Sequence, residues 1–291
     1  MGLVGRIDVT PEQARTLRDE GALKLEKFLT AEGVGALREM VEAELRGAGG
    51  GEFQRARYDV GNRNAVTRSL LESAELRSMF RALIPRRLVF TQGIGFELTP
   101  GKAGLDWHFD FLSFSFFHPR DQGYTVWIPF ERIDPAGQHG GLQVVPETVY
   151  SGRDKMLLSY RHVMRGPEVI ERLGGRDAYR AQMPCSESER IVLDAAAVEP
   201  AFEPGDALVT DRFVWHRSVP LAPGPLRRRL AFILRFVDAD ARYDGTFCRR
   251  LGEFAVAFGN PNFSTAFGLS FTDLQDGDRM GGSRFAVPLG P

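Results

Sequence analysis

The chain is poor in cysteine and has no long apolar run. Only two of its 291 residues are cysteines, Cys185 and Cys248, so neither a disulfide framework nor a thiolate zinc site can be built from them. The first residues soon become charged and form no apolar signal core. Every apolar stretch falls short of the roughly 20 residues that a membrane helix needs. These absences predict a protein of the reducing cytoplasm.

The chain also lacks an excess of charge of either sign. Its 37 basic and 38 acidic residues leave a net charge of −1, whereas a surface for nucleic acid or for an anionic membrane needs a basic excess. Hydrophobic residues make up 43% and charged residues 26% of the chain, a mixture that predicts an ordered globular fold. We therefore expect a small-molecule substrate, no nucleic-acid or membrane partner, and a monomer or homodimer.

Helix signals dominate the N-terminal part of the chain. Thr10 is predicted to cap a first helix that stops near Gly21, and Thr30 is predicted to cap a second helix. A third helix is predicted over residues 67–84. Residues 52–65 are polar and lack clear periodicity, so we expect a solvated loop there, with a lid that contacts substrate as the alternative.

Short strand-like runs separated by turn signals follow these helices. Many short strands after a helical start indicate a mainly β fold, a barrel or jelly roll with helices packed outside. We expect one domain over residues 1–291: a helical flank (1–85), a barrel core (86–237) with an insertion (151–200), and a loop-rich cover (238–291). The predicted strands lie at residues 87–98, 107–117, 124–133, 142–145, 207–210 and 230–237.

A His-x-Asp pattern lies on the predicted strand 107–117. Successive side chains of a strand point to opposite faces, so His108 and Asp110 project together and can bind one metal ion. His216, in a later strand region, supplies a third ligand. Two histidines and one carboxylate on one face of a metal are typical of non-haem iron(II) oxygenases, whose open positions take a bidentate co-substrate and oxygen. A lone His-x-Asp pattern is also typical of an ordinary polar pair at a strand end, and the distal histidine argues against that interpretation.

A run of arginines follows the distal histidine. Arg227 lies eleven residues after His216, and a guanidinium binds the far carboxylate of a keto-diacid co-substrate bidentately. Ser218 shares the strand face of His216 and could donate a hydroxyl hydrogen bond. Arg229 shares the face of Arg227 and is the second candidate for the cation. The alternative interpretation of the arginine run is a solvated basic strand end.

Taken together, these motifs resemble the phytanoyl-CoA dioxygenase family, within the double-stranded β-helix oxygenases that depend on iron(II) and 2-oxoglutarate. The match spans about residues 90–237, and only the combination of its pieces is specific. Gly140-Gly replaces the usual Asn-Gly, Pro146-Glu-Thr replaces the usual Pro-Gly-Ser-His, and the family's Asn after the distal histidine is absent. The matching pieces are His108-Phe-Asp110, Tyr124-Thr-Val-Trp127, Gly140-Gly-Leu-Gln143, Phe202-Glu-Pro-Gly-Asp206, Trp215-His216-Arg-Ser218 and Arg227.

The resemblance implies a double-stranded β-helix (jelly-roll, cupin-like) barrel in which His108, Asp110 and His216 hold Fe(II). It implies that 2-oxoglutarate and O2 are co-substrates and that succinate and carbon dioxide are released. The expected reaction is hydroxylation or another oxidation of a C–H bond in a small, apolar organic metabolite. Because related halogenases have a small residue at the position of Asp110, this carboxylate favours oxidation over halogenation.

The resemblance also implies roles for four residues around the co-substrate. Arg227 and Ser218 would bind the distal carboxylate of 2-oxoglutarate. Trp127 falls where the family has a pocket-lining tryptophan, and Gln92 where a polar residue precedes the first ligand strand. Two alternatives stay open: a cupin-type dioxygenase or isomerase that needs no 2-oxoglutarate, and a non-catalytic binding protein on the same fold.

Several other residues have simpler expected roles. Asp211 and Arg212 are expected to form a local ion pair. His118, His139 and His162 lie in loop-like settings, where surface or local hydrogen-bonding roles are expected. A phenylalanine-rich run after Asp110 is expected to divide between core packing and an apolar substrate site. The run comprises Phe111, Phe114, Phe116 and Phe117.

Overall fold

The computed structural model describes residues 2–257 and 271–289, in which antiparallel strands are flanked by helices. In chain order, the strands are β1 (Ala22–Leu25), β2 (Arg55–Tyr58), β3 (Leu88–Leu98), β4 (Gly123–Pro129), β5 (Leu142–Val145), β6 (Ala207–Asp211), β7 (Trp215–Ser218), β8 (Arg229–Asp238) and β9 (Val287–Pro288). The helices are α1 (Pro11–Glu20), α2 (Ala31–Glu44), α3 (Ala65–Leu71), α4 (Ala74–Leu83), α5 (Arg153–Arg165), α6 (Glu168–Arg172), α7 (Arg176–Arg180), α8 (Glu187–Ala196) and α9 (Gly245–Ala257), with a 3₁₀ turn at Met280–Gly282.

Most of the described strands belong to one seven-stranded sheet. Its order is β1-β6-β4-β8-β3-β2, and β9 pairs with β3 beside this path. Strands β5 and β7 form a separate two-stranded sheet. The large sheet does not close on itself, but the prediction of a mainly β fold with flanking helices is confirmed.

The two faces of β8 pack against different cores, because successive side chains of a strand point to opposite sides. Phe232 and Leu234 pack with the apolar side chains of α2, α3 and α4. Ala231 and Ile233 join a second core that the large sheet forms with residues of β5. Arg229 and Arg235 share this second face, so β8 places two guanidinium groups beside the interior cavity.

The predicted starts of the first two helices are confirmed. Thr10 accepts a hydrogen bond from the Gln13 amide and closes a capping box, and Gly21 ends α1 with a φ of 73°. Thr30 caps α2. The single helix predicted over residues 67–84 is wrong, because Ser73 caps a new helix by accepting from the Leu76 amide at 3.1 Å.

The strand predicted over residues 107–117 is also wrong. Within it, only His108 and Phe117 form isolated β-bridges, to His216 and Tyr243, and the chain turns between them. The fully buried Arg212 holds the turning segment by donating to the Phe114 carbonyl at 3.0 Å and the His118 carbonyl at 3.2 Å. Apolar residues here are therefore buried around a buried cation rather than in a strand. The predicted Asp211–Arg212 ion pair is wrong as well, because Asp211 pairs with Arg153.

The insertion and the cover contain more helix than expected. The insertion, predicted to be helical around residues 167–182, contains α5, α6, α7 and α8. The cover contributes α9, which packs against α5, and the rest of its predicted loop-rich course includes residues 258–270, outside the described residues. Part of the loop predicted at 52–65 pairs with β3 as strand β2. Within the described ranges, no helix combines the length and the apolar character that a membrane span requires.

Candidate metal centre and its cavity

His108 and His216 are brought together by a backbone bridge. The His108 amide donates to the His216 carbonyl at 2.9 Å, and the His216 amide donates to the His108 carbonyl at 2.8 Å. Their ring centroids lie 4.2 Å apart. With Asp110, they form a group in which one possible ligand atom from each residue lies within 4.8 Å of the other two. The structure thus brings together residues that lie more than a hundred positions apart in the sequence.

Both imidazoles have their Nδ1 atoms engaged by the backbone. His108 Nδ1 lies 2.6 Å from the Asp106 carbonyl oxygen, and His216 Nδ1 lies 2.9 Å from the Val214 carbonyl oxygen. Because a carbonyl oxygen only accepts, each Nδ1 must donate, which leaves the lone pair of each neutral ring on Nε2. The two rings are therefore oriented as metal ligands before any metal binds.

The third member of the group is a buried carboxylate with two supporting side chains. Thr125 donates its hydroxyl hydrogen to Asp110 Oδ2 at 2.7 Å, and Arg235 Nη2 lies 3.3 Å from Asp110 Oδ1. Burial raises the pKa of Asp110, but the Arg235 guanidinium and the hydrogen bond from Thr125 favour the ionised carboxylate, and the pKa is lowered to about 2. Asp110 is therefore ionised at neutral pH.

The neighbouring imidazole is held in its neutral form. Burial, together with the proximity of His216, lowers the pKa of His108 to about 3. A metal ligand must be a neutral imidazole or an ionised carboxylate, and His108 and Asp110 meet these requirements at neutral pH.

The structure separates the two candidate cations. Arg227 is exposed, precedes β8 and does not line the cavity. Arg229, the second candidate, is 1% exposed and lines the cavity, with its guanidinium 5.3 Å from the Trp127 ring centroid. Of these two candidates, the structure places Arg229 on the cavity wall: Arg229 is the first paired residue of β8, and Arg227 precedes the strand.

The guanidinium of Arg229 is only partly satisfied by the protein. Its Nε donates to the Gly140 carbonyl at 2.9 Å, and its Nη1 has no hydrogen-bond partner among the described residues. Burial lowers the pKa of Arg229 to about 10, so the group stays cationic at neutral pH. A buried cation with an unused donor is suited to an anionic ligand.

The other predicted co-substrate residues have different settings. Ser218 and Trp127 are buried and line the same cavity as Arg229, and Ser218 Oγ accepts from the Leu105 amide at 3.2 Å. Gln92 is buried but does not line the cavity, and its Nε2 donates to Asp59 Oδ1 at 3.1 Å. The structure thus places Ser218 and Trp127 on the cavity wall, whereas Gln92 does not line the cavity.

The metal-binding group opens into a cavity of about 810 Å³. His108, Asp110 and His216 form part of its wall together with Arg229 and Arg235. Much of the remaining wall is apolar and comes from the barrel strands, from the segment after Asp110 and from α5, α7 and α9. These apolar lining residues include Phe53, Phe96, Phe111, Leu112, Val163, Met183, Leu251 and Phe254.

Sequence reasoning missed two polar residues of this site and the part of the cavity wall that α5, α7 and α9 form. Thr125 and Arg235 lie on predicted strands, at alternate positions that face inward with Trp127 and Ile233, and this periodicity could have identified them. The sequences of α5, α7 and α9 carry no comparable signal. His118, His139 and His162 are not in the metal-binding group.

A family model described as phytanoyl-CoA dioxygenase (PhyH) matches residues 17–228. No curated protein matches the chain significantly. Nevertheless, solved structures resemble it over almost its whole length.

Among the solved structures, the carbocyclase SnoK from nogalamycin biosynthesis, described as non-heme and alpha ketoglutarate dependent, is 15% identical. The match covers 98% of this chain and 99% of SnoK, with a TM-score of 0.63. The epimerase SnoN, in complex with Fe3+, alpha ketoglutarate and nogalamycin RO, is 16% identical over 96% of this chain and 98% of SnoN, with a TM-score of 0.62.

A third solved structure, EctD from S. alaskensis with bound Fe, is 16% identical over 84% of each chain, with a TM-score of 0.58. At these identities the likeness establishes the fold. The prediction of a double-stranded β-helix is confirmed, with the sheet left open.

Proposed function

The chain belongs to the phytanoyl-CoA dioxygenase family of iron- and 2-oxoglutarate-dependent oxygenases, and on this premise we propose that it oxidises a C–H bond of a small, apolar organic metabolite. Succinate and carbon dioxide are the co-products. Hydroxylation is the default outcome, although the carbocyclase and epimerase among the solved relatives support other oxidative outcomes on this fold.

The observation that carries this proposal is the convergence of His108, Asp110 and His216 on the cavity wall, with ligand atoms within 4.8 Å of one another. Two Nε2 lone pairs and one ionised carboxylate are the donor set that a ferrous ion takes in this class of enzyme. Iron bound there with 2-oxoglutarate would supply the oxygen activation that no amino-acid side chain can provide.

Arg229 is the residue that we assign to the distal carboxylate of 2-oxoglutarate. It is buried, keeps its charge, and has an unpaired Nη1 directed to no described protein group. Ser218 lies on β7 two residues from His216 and lines the same cavity, so its hydroxyl is placed to add a hydrogen bond. Together they would orient the co-substrate relative to the three ligands.

The remaining protein contributions are orientation and exclusion of water. Thr125 and Arg235 fix the carboxylate of Asp110, and the backbone carbonyls of Asp106 and Val214 fix the two imidazoles. The apolar cavity wall excludes water from the reacting C–H bond. The side chains therefore hold the reactants in place and need not transfer a proton to or from the substrate.

The test compares two neighbouring arginines in the absence of any substrate. Iron-loaded protein is expected to convert 2-oxoglutarate slowly to succinate, and anaerobic addition of 2-oxoglutarate is expected to give a weak visible charge-transfer band. Arg229→Met should raise the KM for 2-oxoglutarate by about 10- to 100-fold, because a charge-assisted hydrogen bond contributes about 1.5–3 kcal/mol. Arg227→Met, the matched control, should change this KM by less than about twofold, as is usual for an exposed side chain.

Three outcomes would contradict the proposal. An equal effect of both substitutions would remove Arg229 from the co-substrate site. Iron binding without any response to 2-oxoglutarate would favour a barrel metal enzyme that does not use this co-substrate, and absence of iron binding would favour a non-catalytic protein.

A further inference from the structure

One side of the cavity is built by helices rather than by the barrel. We call the part of the cavity lined by Ser159, Val163, Tyr179, Leu251 and Phe254 the outer chamber. Its residues come from α5, α7 and α9, in the insertion and the cover. The side chains of Val163, Tyr179, Leu251 and Phe254 belong to one apolar cluster, so this wall packs as a unit.

Ser159 differs from the apolar residues around it. Its side chain is 1% exposed, and its Oγ has no hydrogen-bond partner among the described residues. A buried hydroxyl without a partner is unfavourable, and a serine within a helix commonly bonds to the carbonyl one turn earlier to avoid this. Because Ser159 lines the cavity, a ligand in the outer chamber can supply the missing partner.

The charges around the cavity restrict what this ligand can be. Among the described lining residues, Arg229 and Arg235 are the only arginines, and no lysine lines the cavity. Both arginines lie on β8: Arg235 pairs with Asp110, and Arg229 is assigned to 2-oxoglutarate. The described lining of the outer chamber therefore offers no cation for the phosphates of a coenzyme A thioester and no charged pair for a small zwitterion.

The shape and lining of the cavity favour a rigid molecule. A volume of about 810 Å³ is within the range of sites for drug-sized ligands. Phe111 and Tyr179 on the wall are held by ring contacts with Phe247 and Phe254, respectively. Such walls bind ring systems at low entropic cost, whereas a flexible chain would lose rotational freedom on binding.

On the basis of the proposed function, we propose that the outer chamber binds a rigid, ring-rich apolar substrate that carries a carbonyl or hydroxyl oxygen. The Ser159 hydroxyl donates a hydrogen bond to this oxygen and thereby orients the ring skeleton toward the metal centre. Ser159 is in this sense a specificity-determining residue, while His108, Asp110 and His216 determine the chemistry.

The test uses three probes with thirteen carbons each: fluorenone (a rigid ketone), fluorene (the same rings without the oxygen) and 2-tridecanone (a flexible ketone). Binding to protein loaded with Fe(II) and 2-oxoglutarate is measured by anaerobic equilibrium dialysis. Fluorenone should bind about three- to tenfold more tightly than fluorene, the contribution of one neutral hydrogen bond, and more tightly than 2-tridecanone.

Three serine variants test the hydrogen bond and the chamber. Ser159→Ala should abolish the preference for fluorenone over fluorene without weakening fluorene binding. Ser113→Ala is the matched control, because Ser113 also lines the cavity but is only half-buried, and it should retain the preference. Ser159→Leu should weaken binding of both ring probes, because its side chain fills the chamber.

The outcomes separate this proposal from the proposed function. An unchanged preference in Ser159→Ala, or equal binding of 2-tridecanone and fluorenone by the unmodified protein, would overturn the outer-chamber proposal. Substrate-independent succinate formation should persist in the control variant Ser113→Ala. Its absence from the unmodified protein would contradict the proposed function instead, while dialysis would still report on the chamber.

Discussion

The metal-binding group on the barrel side of the cavity and the outer chamber on its helical side are built on opposite principles. On the barrel side, His108, Asp110 and His216 each have a partner that fixes their orientation, and most of these partners are backbone carbonyls or buried side chains. On the helical side, the walls are apolar, and the Ser159 Oγ has no hydrogen-bond partner in the part of the chain that the structure describes. Contacts with the protein fix the orientation of each proposed metal ligand. Ser159, which is proposed to bind a ligand, instead keeps a hydrogen-bond donor that no described protein group uses.

Loss of a metal ligand should have the largest effect on iron binding and succinate formation. A small effect would contradict the contrast between the two sides of the cavity. We expect His216→Ala to lower iron affinity by far more than the 10- to 100-fold that is typical when a residue behind a ligand is lost, and to abolish substrate-independent succinate formation. The measurements are anaerobic iron titration and succinate release. His139→Ala, which removes a histidine outside the metal-binding group, should retain both properties.

A smaller effect is expected from the hydroxyl that supports Asp110. Thr125→Val keeps the size of the side chain but removes the hydrogen bond to Oδ2, so iron affinity should fall about tenfold. Thr210→Val is a suitable control, since Thr210 is also buried and lines the cavity. If the two variants bound iron equally well, the contact between Thr125 and Asp110 would have no role in ordering the site.

The smallest expected effect lies at the junction between the barrel and the helical wall. Arg153, at the start of α5, bonds to Glu147 at 2.8 Å and to Asp211 of β6 at 3.0 Å. Burial, together with the hydrogen bond to Glu147, raises the pKa of Asp211 well above its ordinary value. Above that ordinary value the unfolded chain has lost this proton while the folded protein keeps it, so the stabilisation from Asp211 decreases as pH rises toward the folded-state pKa.

Asp211→Asn should remove this pH dependence while keeping a donor for Glu147. We therefore expect the free energy of unfolding of the unmodified protein, relative to the variant, to fall as pH rises above the ordinary pKa of an aspartate, by at most about 1.4 kcal/mol per pH unit. Urea unfolding at several pH values measures the difference. A difference that grew with pH would show that Asp211 is ionised in the folded protein.

The residues on the barrel side were largely predictable, because short sequence patterns determine which of them share a strand face. The alternation of a single extended segment placed His108 and Asp110 together, and a two-residue step placed Ser218 with His216. Arg229 was harder to choose than Arg227, because the loop between β7 and β8 contains Pro220, Pro223 and Pro225 and its length does not reveal where β8 begins. Arg227 and Arg229 are two residues apart and therefore share a strand face, but Arg229 lines the cavity and Arg227 does not.

The helical side was not predictable because its contacts are distant in sequence. Val163 and Phe254 share one cluster although they are about ninety residues apart, and nothing near Ser159 indicates that its hydroxyl would be buried. The aromatic run after Asp110 misled in a similar way. It has the composition of a strand, but its conformation is set by the guanidinium of Arg212, which comes from the opposite half of the chain.

Strand β7 has a consequence for which keto acids can serve as co-substrate. His216 and Ser218 are successive inward residues of this strand, and their separation along it is fixed at roughly 6.6–6.8 Å by the strand rise. With the roles proposed above, a dicarboxylic keto acid that is one methylene shorter or longer could not satisfy both ends together. A one-residue shift of β7 against β5 would replace both inward side chains at once, by Trp215 and Arg217. Metal binding and co-substrate selection therefore both depend on the register of the β5–β7 pairing.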